Sequence, residues 1–106
     1  MTKRLPNRRA SESSAFIWNG VDFTATVSRF TDGRLAEIFL SNGKIGSVVD
    51  TTARDSAVVC SLALQHGVPV ETIQHALLRD GQGVASSPLE CALDLIAGDE
   101  NEMVQQ

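Results

Sequence analysis

The segment Val21 to Ser28 constrains this chain more than any other. Val21, Phe23, Ala25 and Val27 alternate there with Asp22, Thr24, Thr26 and Ser28. A period of two sends one set of side chains to a buried face and the other to an open face, as in a half-buried strand. The segment is bracketed by Asn19-Gly20 and Asp32-Gly33, and Asn42-Gly43 follows further on. Such pairs tolerate the positive φ angles that tight hairpin turns require. Ser14 to Trp18 therefore reads as a preceding strand and Leu35 to Ser41 as a following one, with Ala36, Ile38 and Leu40 on one face and Glu37 on the other. Phe39 shares the face of Glu37, which suggests that this side is covered as well. Three strands in a meander have one apolar face that needs a lid.

The second half supplies it. Asp50 to Thr52 reads as the N-cap region of a helix that runs to about His66 and ends at Gly67, with Pro69 beyond. Ala57 to Leu64 is apolar nearly all round, which predicts burial on more than one side. Pro69 opens a second helix with Val70, Ile73 and Leu77 at helical spacing. After Gly81-Gln82-Gly83, Ser87-Pro88-Leu89-Glu90 has the form of a capping box, and Leu89, Ala92, Leu93 and Ile96 give a third helix its apolar stripe up to Gly98. The expected fold class is α+β, a three-stranded antiparallel meander covered on one face by three helices. At 106 residues the chain has room for one domain. Its expected extent is 14–98, between a disordered basic arm at 1–13 and an acidic tail at 99–106.

Charge placement narrows the partners. Lys3, Arg4, Arg8 and Arg9 are four of the nine basic residues, so the remainder sets five basic against thirteen acidic side chains, a balance of −8. A body of that sign repels nucleic acid phosphates, and nucleic acid is not expected as a partner. No apolar run approaches the roughly 20 residues that span a bilayer, and the basic start has no apolar stretch behind it, so neither a membrane span nor a signal peptide is expected. Two cysteines in such a chain point to reduced thiols and a cytoplasmic location.

Candidate chemistry is sparse. Cys60, Cys91, His66 and His75 stand at no metal-ligand spacing, so no metal and no cofactor are expected. Gly43-Lys44-Ile45-Gly46-Ser47 lacks the order of a phosphate-binding loop, and no Ser, His and Asp set has a motif around it. The competing reading is a helix-turn-helix in which Pro69 to Asp80 enters a DNA groove and Thr72 and Gln74 read bases. That segment carries Glu71 and Asp80 against Arg79 alone, and phosphate contacts would be too few for useful affinity.

Taken in order, Phe23 to Arg29, Asp32-Gly33-Arg34, Ala36 to Phe39, Gly43 to Ser47, Ser61 to Pro69 and Ser86 to Leu89 resemble the TSCPD domain, over about residues 12–98. The resemblance implies kinship with the C-terminal end of adenosylcobalamin-dependent ribonucleotide reductases. The chain departs from that pattern in having no segment like the cysteine-bearing one that names the domain, and it reads as a stand-alone, cysteine-poor relative without the catalytic barrel. The resemblance thus implies a small accessory or regulatory protein, not an enzyme by itself. A protein partner is expected, a ribonucleotide reductase being the first candidate, together with a homodimeric state. Arg29, Arg34, Glu37, Lys44 and Arg79, on or near the motif-bearing turns, are the candidate interaction surface.

Overall fold

A computed structural model describes residues 11–105, with side-chain surroundings for 11–97. The elements follow the order β1 (Ser11–Trp18), β2 (Val21–Arg29), β3 (Leu35–Ser41), α1 (Val48–Gln65), α2 (Val70–Ala76) and α3 (Pro88–Gln105). The strands form one antiparallel sheet in the order β1-β2-β3, so the fold is the expected α+β meander with three helices. Asn19 and Gly20 take φ of 51° and 77° between Trp18 and Val21, which is the two-residue turn that the pair foretold. Val27 lies opposite Ile38 and Phe16 opposite Phe23, and the register slips by a residue between Ser28 and Arg29.

The core sits between one sheet face and two helices. Phe23, Ala25, Val27, Ile38 and Leu40 meet Ala53, Ala57, Cys60 and Leu64 of α1 and Leu89, Ala92 and Leu93 of α3. Helix α2 buries no residue fully and adds only the partly buried Val70 and Ile73. Trp18 closes the end of β1, its indole Nε1 donating to the Ala85 carbonyl at 3.3 Å. Among the described residues no helix is long and apolar enough to cross a membrane.

Helix α1 does more than cover the sheet. Ser61 Oγ accepts from the Ile38 amide and donates to the Ile38 carbonyl, both at 2.9 Å, and Gln65 Nε2 donates to the Ala36 carbonyl at 3.4 Å. Those backbone groups belong to the outer edge of β3. Side chains from the helix thus pair an edge that would otherwise present open donors and acceptors.

Several boundaries differ from expectation, each for a local reason. Strand β1 begins at Ser11, where Ser13 and Thr26 share a 2.9 Å hydroxyl hydrogen bond across the pair; the rest of the expected basic arm, 1–10, lies outside the described residues. The N-cap of α1 is Ser47, not Asp50 to Thr52, because Ser47 Oγ accepts from the Asp50 amide at 3.1 Å and leaves the Asp50 carboxylate to other partners. Gly98 does not end α3, whose backbone continues to Gln105 through the segment expected as a tail. Glycine inside a helix costs about 1 kcal/mol and does not by itself break it. Phe39 is 47% exposed, so the second sheet face is open where a cover was expected. Helix α1 is buried on one side only, with Val58, Val59 and Leu62 exposed, since no further layer among the described residues lies against them.

Candidate functional site

The turn joining β2 to β3 carries two of the expected surface residues. Its backbone closes through Phe30, whose amide donates to the Arg34 carbonyl at 2.8 Å, and through Gly33, whose amide donates to the Phe30 carbonyl at 2.9 Å. Arg29 Nη1 donates to the Gly33 carbonyl at 3.1 Å, and Arg34 Nε donates to Asp32 Oδ2 at 2.7 Å. The Arg34 guanidinium also lies 5.1 Å from the centre of the Phe30 ring. The turn faces the corner between α1 and α2 across a cleft of about 180 Å³, lined in part by Phe30, Arg34, Leu35, Gly67, Pro69 and Glu71. Two segments that sequence singled out separately, Asp32-Gly33-Arg34 and Gly67-Val68-Pro69, are therefore neighbours. Arg34 and Glu71 put opposite charges on the two walls. The Arg34–Asp32 pair is exposed, a geometry worth under ~1 kcal/mol.

The other expected residues lie apart. Glu37 is on the open sheet face and accepts from Ser28 Oγ at 2.7 Å. Lys44 sits in the turn after β3, with its amide donating to Asn42 Oδ1 at 2.9 Å. The ends of a seven-residue strand stand about 20 Å apart, so Lys44 is remote from Arg29 and Arg34. Beside Lys44 is an anchor that sequence reasoning missed. Asp50, only 1% exposed, accepts from the Asn42 amide at 2.9 Å and from Arg54 Nε at 2.6 Å. Arg54 Nη2 donates to Ser41 Oγ at 2.9 Å, and its guanidinium lies 5.1 Å from the Phe39 ring centre. The Asn42 amide, joined by Arg54 against the effect of burial, holds the Asp50 carboxyl below the usual carboxylate range.

Arg79 belongs to a third cluster, between the segment after α2 and α3. An isolated bridge between Arg79 and Ala85 shapes that segment into a hairpin. Arg79 grips Asp94 with two bonds, Nη1 to Oδ2 at 2.8 Å and Nη2 to Oδ1 at 2.9 Å, and Gln74 Nε2 donates to Asp94 Oδ1 at 3.0 Å. Beneath them lies Glu90, which is fully buried, with Oε1 3.1 Å from Arg79 Nη2. That approach supplies charge attraction but is misaligned for a hydrogen bond, and neither Glu90 oxygen has a hydrogen-bond partner among the described residues. Burial first, then the neighbouring Asp94, pushes the Glu90 carboxyl up to about 7 against the pull of Arg79. The paired Arg79 bond instead holds Asp94 below its ordinary value. The capping box is thus half formed: Ser87 Oγ accepts from the Glu90 amide at 3.3 Å, while the Glu90 carboxylate turns inward to Arg79. No sequence signal distinguishes the two fates of that carboxylate.

The remaining chemistry is muted. Burial pushes the Cys60 thiol up to about 11 and raises Cys91 as well, which suppresses thiolate at neutral pH. Among the described residues no three His, Cys, Asp or Glu side chains are grouped to hold a metal ion. The helix-turn-helix reading loses its recognition helix, because α2 stops at Ala76 and the Gln74 amide is committed to Asp94.

Comparison with known proteins agrees with the arrangement of motifs. The family model described as the TSCPD domain matches residues 2–98. The vitamin B12-dependent ribonucleotide reductase of Streptomyces coelicolor is 34% identical over 70 residues, covering 66% of this chain and 7% of that protein. The reductase of the same name from Agrobacterium fabrum is 35% identical over 69 residues, 65% of this chain and 5% of its own length. For Streptantibioticus cattleyicolor the figures are 34% over 70 residues, 66% of this chain and 12% of that protein. The chain therefore spans only a small part of the length of these relatives. No solved structure matches it. On the match that runs through β1 to the C-terminal half of α3, the chain belongs to the TSCPD domain family.

Proposed function

We propose that this protein is an accessory or regulatory module of deoxyribonucleotide synthesis that binds a ribonucleotide reductase. The carrying observation is the family match over residues 2–98, shared with a segment of vitamin B12-dependent reductases. Its own residues favour contact over catalysis: burial raises the thiols, and Glu90, the carboxyl pushed near neutrality among the described residues, is sealed from solvent. The contact is assigned to the cleft between the β2–β3 turn and the α1–α2 corner, where Arg34 stands beside an apolar floor and Arg29 braces the same turn through the Gly33 carbonyl. Arg79 is occupied by Asp94 and Glu90, and Lys44 lies at the far end of β3, so neither belongs to this contact. The test is the ribonucleotide reduction rate of a purified vitamin B12-dependent reductase from the same organism, with and without this protein. A change of at least twofold, absent with the Arg29→Glu/Arg34→Glu variant, is expected. An unchanged rate at saturating protein would overturn the regulatory reading.

A further inference from the structure

We infer that the hairpin of residues 78–86 is a pH-gated flap, held shut over Glu90 by the Arg79–Asp94 pair and released when Glu90 gives up its proton. The hairpin is small and tied mainly to itself. The Asp80 amide donates to the Val84 carbonyl at 2.9 Å, and the Ser86 amide donates to the Leu78 carbonyl at 3.1 Å. Asp80 Oδ1 accepts from the Gln82 and Val84 amides at 2.8 and 2.9 Å. None of these nine residues is fully buried, and Leu78 and Val84 are 78% and 57% exposed. Little apolar area therefore holds the segment down. Among the described residues its polar ties to the rest of the fold are the Arg79 contacts with Asp94 and Glu90, and the bond from Trp18 Nε1 to the Ala85 carbonyl. A two-stranded hairpin is marginal in water on its own, so losing the Arg79 anchor opens it locally while the core stays folded.

The anchor rests on a buried group whose charge it cannot fully satisfy. Glu90 is completely covered, and neither of its oxygens has a hydrogen-bond partner among the described residues. The charged groups that act on it are Arg79 from the hairpin and Asp94 from one turn further along α3. Helix α2 contributes the neutral Gln74 amide, bound to Asp94, and the adjacent Cys91 thiol is kept neutral by burial. From the sheet and α1 come apolar core side chains and the Cys60 thiol, neutral for the same reason. With Glu90 protonated, Arg79 and Asp94 balance each other. With Glu90 ionised, two carboxylates share one guanidinium and one of them has no water, a costly state. Lifting the hairpin admits water to Glu90 and returns it to the range of an exposed carboxyl. The closed form holds the proton more tightly, so it is favoured below about pH 4.5 and loses that advantage as pH rises through about 7.

Amide hydrogen exchange of the full chain at several pH values between 5 and 8 tests this, each rate being divided by that of the unstructured chain at the same pH. Protection of the hydrogen-bonded amides of residues 80–86 is expected to fall at least tenfold across that range, while the amides of β2 keep theirs. Glu90→Gln, which cannot ionise, is expected to hold the hairpin's protection within about twofold from pH 5 to pH 8. Hairpin protection independent of pH in the wild type would overturn the proposal. So would an equal fall in Glu90→Gln, or a loss shared equally by β2, which would mean global unfolding in place of a flap. The flap lies apart from the Arg34 cleft, so this proposal and the reductase reading can each fail alone.

Discussion

Replacing Glu90 by Gln keeps the shape of the side chain and fixes it in the neutral state, which isolates the energetic consequence of burying this carboxyl. In the folded protein the group titrates near 7, while in the unfolded chain it returns to about 4.5. The folded state therefore holds the proton more tightly. Its contribution to stability is complete below about pH 4.5 and is lost as pH rises through about 7. A shift of this size corresponds to at most ~3 kcal/mol, and relaxation and screening around the partly exposed Arg79 and Asp94 reduce it to about 2 kcal/mol. Wild type should thus lose about 2 kcal/mol relative to Glu90→Gln between pH 5 and pH 8. With a urea slope of about 1.5 kcal/mol/M, the two unfolding midpoints diverge by roughly 1 M over that range. Equilibrium urea unfolding followed by Trp18 fluorescence measures both. Midpoints that run parallel from pH 5 to pH 8 would refute the reasoning, since the carboxyl would then titrate alike in the folded and unfolded states.

Ser61→Ala removes both hydrogen bonds to Ile38 and should cost about 1–2 kcal/mol, with faster hydrogen exchange at the Ile38 amide; unchanged exchange would count against α1 pairing the edge of β3. Ser87→Ala should lower stability by about 1 kcal/mol through loss of the cap on α3, read as a lower denaturant midpoint. Asp50, whose carboxyl is held low, contributes stability that is present above its unfolded value near 3.8 and lost as pH falls through its lower folded value. Asp50→Asn should accordingly flatten the acid limb of the unfolding profile, and an acid limb of unchanged steepness would contradict that assignment. Removal of residues 1–9 should leave no detectable duplex DNA binding at physiological salt, because the rest carries −8; sequence-selective binding by the truncated protein would revive the helix-turn-helix.

The sheet was legible because its signals are local. Alternation from Val21 to Val27 and the Asn19-Gly20 turn depend on neighbours in the chain and are found in the structure; Ser28, expected on the open face, is buried beside the Glu37 carboxylate that it donates to. The cap of α1 was misplaced because two side chains in the same turn, Ser47 and Asp50, both suit a cap, and only the position of Asn42 and Arg54 assigns Asp50 elsewhere. Glu90 was hidden for a related reason. Ser87-x-x-Glu90 satisfies a local rule, yet Arg79 on a distant hairpin draws the carboxylate inward. The all-round apolar stretch of α1 spoke for two buried sides, whereas the fold supplies one neighbour. Hydrophobic pattern reports what a face tolerates, and the topology determines what covers it. Of the expected surface residues, Arg29 and Arg34 are joined by one turn. Glu37, Lys44 and Arg79 are dispersed by elements whose packing no spacing in the sequence encodes.

The proposed binding of a ribonucleotide reductase through the Arg29–Arg34 turn of this TSCPD-family protein is open to isothermal titration of the full chain into a purified vitamin B12-dependent reductase from the same organism. Saturable binding is expected, weakened at least tenfold by Arg29→Glu/Arg34→Glu. No binding at about 100 µM, or equal affinity for wild type and the double variant, would contradict it.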